Sequence, residues 1–441
     1  MKDILISVSI LLVMFLSLSL ISCFKWDNPV DMKADITPQL SHNAGTYNNP
    51  IEIQFTNANI DNMDIFYSLD GSVPSSSSNP YTSPFTIENP AALKAIAYAD
   101  ENYSKVTSTT YSFQAAIPTF SLAGGSYYSE QTVTISSATI GATIRYTTDG
   151  SDPTSSSTLY SSSILVSSVT TIKARAFKEL WTPSIITTAE YIIVPAGFAY
   201  VAGGTFNDGT SDVSLSSFYL GKYELTQAEY QAVMGTNPAF GYGVGSAYPV
   251  YYVSWFNAIE YCNRRSMLEG ITPCYSYSSY GTNPDSWPTG WDTNSNNHTN
   301  VSCNWTANGY RLPTEAEWEF AARGGNQTHN YTYSGSNTIG DVAWYYSNSS
   351  FSTHTVGGKL ANELGLYDMN GNIYEWNWDI YGTYPSGAQN NPHGATSGPY
   401  RVLRGGSWGC DAYVCTVSVR NRNVAANGYN DLGFRLLRVS P

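Results

Sequence analysis

Charge is scarce in this chain of 441 residues. Asp, Glu, Lys and Arg make up only 12% of it, and 34 acids against 21 bases leave a net charge of −13. That balance excludes a nucleic-acid partner, because binding a phosphate backbone needs clustered Lys and Arg. Histidine is scarcer still: His42, His298, His329, His354 and His393 are the whole set, and none stands at ligand spacing from another. A histidine-based metal centre is therefore unsupported. The carboxylates offer no catalytic pair either. Glu315, Glu317 and Glu319 share one short helical segment, where capping and packing account for them.

What the chain does have is bulk and polarity. Hydrophobic residues reach 42%, enough for packed cores, and 35 tyrosines accompany abundant Ser, Thr, Asn and Gly. The profile suits β-structure with long loops, and the length allows two to four domains. The long apolar run is Ile4–Ser22, preceded by Lys2 and Asp3 and closed by Leu20-Ile21-Ser22-Cys23. That ending resembles a bacterial lipobox. The resemblance implies a signal peptide over 1–22, a lipid-anchored Cys23, a tether over 23–35, and export to a bacterial membrane, at the cell surface. Five cysteines remain: Cys262, Cys274, Cys303, Cys410 and Cys415. Disulfides are permitted outside the cytoplasm, and an odd number leaves at least one free thiol or a bridge between chains.

The chain repeats itself at an interval of about 79–80 residues. Tyr67-Ser-Leu-Asp70-Gly71-Ser-Val-Pro74 answers Tyr146-Thr-Thr-Asp149-Gly150-Ser-Asp-Pro153, and Lys94-Ala95 answers Lys173-Ala174. Alternating runs such as Ile51-Glu-Ile53-Gln-Phe55, punctuated by Asp-Gly pairs and prolines, read as small antiparallel sandwiches. The shared element resembles the chitobiase C-terminal-type module, over 36–114 and 117–194. Two all-β, Ig-like domains are expected, serving as spacers. Under a carbohydrate-binding reading, Tyr127, Tyr128 and Trp181 are the stacking candidates.

Pro195-Ala-Gly197 marks a change of texture. Thr226 with Glu229, and Thr314 with Glu317, are capping boxes, and Ser254 opens a third helix that ends near Gly270. The rest is rich in Gly, Asn, Tyr and Trp, so residues 197–441 read as an α+β domain with long loops. Tyr310-Arg-Leu-Pro-Thr-Glu315-Ala-Glu-Trp318-Glu319, Gly371-Asn-Ile-Tyr-Glu375-Trp376, Arg404-Gly-Gly-Ser-Trp408 and Gly433-Phe434-Arg435 resemble the formylglycine-generating-enzyme family. The resemblance implies a variant of the C-type lectin fold. It also implies a structural calcium site, with Asp368, Gly371, Ile373 and Glu375 supplying two side chains and two carbonyls.

Two functions follow for the C-terminal segment. Family oxidases hold Cu(I) between two cysteines five positions apart after Gly-Gly-Ser, and Cys410, Cys415 and Ser407 stand at that spacing. On this reading the chain converts a protein cysteine to an aldehyde. The residues between and after the cysteines, Asp411-Ala-Tyr413-Val414 and Thr416–Val419, depart from the oxidase pattern, and the alternatives are a bracing Cys410–Cys415 disulfide or a buried Cys415 beside a chance Cys410. The other reading is a binder. Residues 409–431 hold no Lys, Glu, Gln, Met or Trp, while Asn421, Asn423, Asn427 and Asn430 survive between intact flanks. This resembles the adenine-mutagenised segment of diversity-generating-retroelement proteins, including treponemal variable lipoproteins. The implied binding face is Trp408, Gly409, Asp411, Tyr413, Val414, Val419, Asn421, Asn423, Val424, Asn427, Tyr429, Asn430 and Asp431. Tyr would supply contact area and Asn adaptable hydrogen bonds to a protein or glycan ligand.

Overall fold

A computed structural model describes residues 35–59, 62–99 and 101–439. The expectations at Cys23 and for residues 1–34 lie outside them. Among the described residues no helix is long and apolar enough to cross a membrane.

The chain divides into two units. The first ends at Gln114 and takes in Glu179–Thr182. Its main sheet runs in the order Gly45–Tyr47, Thr107–Phe113, Ala91–Ala99, Asp64–Ser68, Asn79–Pro80, and a second layer pairs Ile51–Ile53 with Phe85–Ile87. Alternation explains the sandwich: Leu93, Ala95, Ala97 and Ala99 face inward along one strand, against Ile53 and Phe55. Trp181 joins this core, 5% exposed, with its ring 4.6 Å from Phe113 and its indole N–H donating to the Glu88 carbonyl. A ring so enclosed has no face for a sugar, so Trp181 is not a stacking platform.

The second unit holds Ala115–Lys178 and everything from Pro183 onward. The second repeat reproduces the first, with Gly125–Tyr127, Thr187–Ile193, Thr170–Phe177, Thr143–Thr147 and Thr158–Leu159 in that order. The recurrent Asp-Gly-Ser element has a local cause. Asp70 accepts from the Ser72 N–H and hydroxyl at 2.9 and 2.6 Å, and Asp149 does the same with Ser151 at 3.0 and 2.6 Å. Such Asx turns fix the corner after the strand.

No packing break follows this repeat. Ile192 and Val194 share a buried cluster with Phe198 and Tyr219, so the expected boundary at Pro195–Gly197 divides texture but not core. Beyond it come, among the described residues, three helices of eight residues or more: α1 (Gln227–Met234), α2 (Trp255–Leu268) and α3 (Glu315–Ala322). All three N-termini carry a reciprocal capping box, on Thr226, Ser254 and Thr314. The sheet beneath the C-terminal segment has four strands: β1 (Tyr374–Ile380), β2 (Arg401–Arg404), β3 (Asn421–Asn423) and β4 (Leu432–Gly433), in the order β3-β2-β1-β4. The α+β architecture expected from the sequence is the one observed.

Candidate functional site

The segment between β2 and β4 is pinned from below by the motifs that flank it. β2 runs into Gly405 and Gly406 at φ +93° and +76°, and a Cβ on Gly406 would stand 2.6 Å from the Cys415 sulfur. Only glycine permits this turn over Cys415. Arg404, wholly buried, then ties down the chain beyond: its guanidinium donates to the carbonyls of Val417 at 3.0 Å and Val419 at 2.5 Å, and to Glu319 at 2.5 Å. Asn370 donates to the Cys415 carbonyl at 2.5 Å. Arg435 holds Glu375 through two bonds of 2.6 Å, and the Trp318 indole adds a third at 2.8 Å.

Within 409–431 burial sorts the residues into two sets. Cys415, Val417 and Ala425 are buried. Gly409, Asp411, Tyr413, Asn421 and Tyr429 are exposed, while Trp408, Val414, Val419, Asn423, Val424, Asn427, Asn430 and Asp431 are half-buried. Every residue expected on the binding face thus reaches solvent, and Tyr413 is 72% exposed.

The face is internally bonded. Asn427 donates to the Asn423 side chain at 3.2 Å and to the Tyr429 hydroxyl at 3.1 Å, and Ser407 donates to Asp431 at 2.8 Å. Burial pushes the Asp431 carboxyl up, against the pull of that Ser407 bond. Trp408 stacks on Tyr242 with centroids 5.3 Å apart.

Tyr374 is the hub that sequence reasoning missed. Its hydroxyl accepts from Asn421 at 3.0 Å and from the Cys410 thiol at 3.3 Å, and burial drives its ionisation upward. Its position inside Gly371-Asn-Ile-Tyr-Glu375-Trp376 was the available signal. Tyr252 and Tyr346 were missed too: their backbone N–H groups donate to the carbonyls of Tyr429 and Cys410 at 2.8 and 2.9 Å.

All five described cysteines carry free thiols, so the bracing Cys410–Cys415 disulfide is absent. Cys410 lies 3.4 Å from the Ser407 hydroxyl and is half-buried, while Cys415 is buried and its thiol is pushed up to about 12, first by burial and then by Cys410. Two neighbouring thiols are the donor chemistry that Cu(I) takes. Of the residues after Cys415, Val417 instead turns inward, into the core beside Trp318 and Met369.

The calcium set is not assembled as a cage. Glu375 is fully buried with both oxygens taken by Arg435, which leaves no lone carboxylate for a cation. Asp368 accepts from the Gly357 N–H at 2.6 Å, and its other oxygen is buried without a partner. Burial pushes Asp368 up to about 6, helped by Glu375 and opposed by the Gly357 bond and Arg435. An orphaned Asp368 oxygen suits a cation; a spent Glu375 does not. The four residues expected to bind calcium therefore do not fit it together.

The sulfatase-modifying factor enzyme 1-like domain matches residues 178–440. The chain belongs to this family. The chitobiase/beta-hexosaminidase C-terminal domain matches residues 42–110 and 122–188, on the two sandwiches. Among relatives, "Chaperone protein LppX" of Paenibacillus barcinonensis is 38% identical over 278 residues, covering 58% of this chain and 94% of that protein. The formylglycine-generating enzyme of Streptomyces coelicolor is 35% identical over 145 residues, 29% of this chain and 46% of that enzyme. Among solved structures, Treponema denticola variable protein 1 is 36% identical with a TM-score of 0.50, covering 58% of this chain and 96% of that one. The sulfatase-modifying-factor-like domain here is thus similar both to a formylglycine-generating enzyme and to a variable protein.

Proposed function

We propose that this sulfatase-modifying-factor-like domain displays a diversified ligand-binding face, Trp408–Asp431, on a lipoprotein anchored through Cys23 at a bacterial surface. One observation carries the reading: the residues of 409–431 that hold the segment in place are buried, and those expected to vary reach solvent. Diversification needs that separation, since a scaffold survives change only where changes leave the core alone. Likeness to a treponemal variable protein supports it. The relative named a chaperone favours a protein over a glycan as ligand. The two sandwiches serve as spacers, and nucleic acid is not a partner of so acidic a chain.

The test is sequencing of codons 409–431 across sibling cells and isolates. Substitutions at adenines in the codons of the solvent-reaching residues, with Cys415, Val417 and Ala425 constant, are expected. A segment identical in every cell and isolate would overturn the reading.

One observation favours a second reading. Cys410 and Cys415 are both free beside Ser407, so the two thiols would hold Cu(I), which supplies oxygen activation when bound. On that reading copper-dependent aldehyde formation on a cysteine peptide is lost in Cys410→Ser.

A further inference from the structure

Arg420 and its neighbour Asn421 part company. Asn421 reaches Tyr374, whereas Arg420 pairs with Glu315 through two bonds of 2.6 Å. Behind that pair lies a cavity of about 150 Å³ that neither reading of the face uses. Phe206, Val213, Ala316, Tyr384, Pro385 and Pro392 give it apolar walls. Its charged lining is Asp208, Glu315, Glu319 and Asp379 against one arginine, Arg420.

Two of those four acids are already matched. Glu315 has Arg420, and Glu319 has Arg323 at 2.6 Å and Arg404 at 2.5 Å. The other two have no cation within salt-bridge reach among the described residues. Asp208 accepts only the N–H groups of Thr210 and Ser211, both at 2.8 Å. Asp379 is 3% exposed, accepts the Glu315 N–H at 2.8 Å through one oxygen, and receives no described donor on the other. A carboxyl so enclosed, with a free oxygen on an apolar-walled cavity, lacks an ion-pair partner among the described residues.

We propose that this cavity binds a small organic cation, a primary ammonium on a short apolar chain, with Asp379 as its carboxylate partner. A cavity of this volume accepts a molecule of about six heavy atoms, the size of benzene. An ammonium head would satisfy the free Asp379 oxygen while the chain lies along Phe206, Tyr384 and Pro392. A metal ion fits less well: among the described residues no group of three or more His, Cys, Asp or Glu is placed to hold one.

The site has a built-in pH response. Asp379 is pushed up to about 8 by burial first, then by Glu315, with Glu317 adding; the Glu315 N–H and Arg401 on β2 oppose. His393, on the loop facing Asp379, is pushed down by burial. The ligand therefore displaces a proton from Asp379. Its affinity rises about tenfold per pH unit between pH 6 and 8 and levels off above.

The test is an NMR titration of the full chain with n-butylamine at pH 8.5, with n-butanol as the neutral isostere. Saturable one-to-one binding of the amine is expected, with the alcohol at least tenfold weaker. Asp379→Asn keeps an acceptor for the Glu315 N–H and should weaken the amine at least tenfold. Thr383→Trp, from an exposed position on the rim, should block entry without touching Asp379, which keeps the proposal testable if the first variant folds poorly. Equal binding of alcohol and amine, unchanged binding in either variant, affinity flat from pH 6 to 8, or no saturation would each overturn it.

Discussion

Tyr413 and Arg435 bracket what single residues do in this domain. Tyr413 is an exposed ring, the phenol turned outward. Arg435 is buried, and besides its two bonds to Glu375 it donates to the carbonyls of Gly221 at 3.0 Å and Tyr367 at 3.0 Å. Removing one partner of a buried pair leaves the other charge stranded, at a cost of about 3–5 kcal/mol. Arg435→Met should therefore lower unfolding free energy by that order in urea titrations, whereas Tyr413→Ala and Tyr429→Ala should each stay within about 0.5 kcal/mol. A large loss in the tyrosine variants would make them core and remove them from the face. The same residue explains why Glu375 has no oxygen left for a cation in this arrangement. The motif 368–375 displays the ligand types, but nothing in it announces that Arg435, 60 positions later, arrives to occupy Glu375.

At the scale of elements, the helix starts were legible because their chemistry is local. Thr314 accepts from the Glu317 N–H while the Glu317 carboxylate returns to the Thr314 N–H at 2.8 Å, and the same carboxylate pairs with Arg311 at 2.6 Å. Thr226 and Glu229 repeat the pattern, and both boxes were written in the sequence. Ser254 was read as a helix start, yet its box went unseen because Asn257, not Glu or Gln, closes it. Thr314→Ala should cost about 1 kcal/mol of stability, the usual worth of a cap. Thr314→Ser should recover most of it in the same urea titration. Failure of Ser to rescue would assign the effect to packing of the Thr methyl. Tyr374 stayed hidden for the opposite reason: its role depends on Cys410 and Asn421 converging from other elements, which no local pattern records.

At the scale of the whole molecule, the repeats were legible from their period, while the packing across Pro195–Gly197 was not, because a shared core is a property of contacts rather than of texture. Buried carboxyls give the molecule a second global trait. Asp368 is held up near 6 and Asp379 near 8, both chiefly by burial, and burial together with Asp368 and Glu375 raises Glu224 as well. An unfolded Asp releases its proton near pH 4. Between there and the folded values the native chain holds protons that the unfolded chain has lost, so stability falls as pH rises, through about 6 for Asp368 and about 8 for Asp379. Glu317 acts the other way: burial pushes its carboxyl up, but Arg311 and Thr314 together hold it below the usual range, so its contribution is present above about pH 4 and disappears as pH falls. Melting temperature should therefore peak near pH 5 and decline toward pH 8.5. Asp379→Asn should flatten the decline up to pH 8, and Asp368→Asn only the part below about 6. A melting temperature that climbs steadily to pH 8.5 would mean that both carboxyls are ionised in the folded chain, each with a cation beside it.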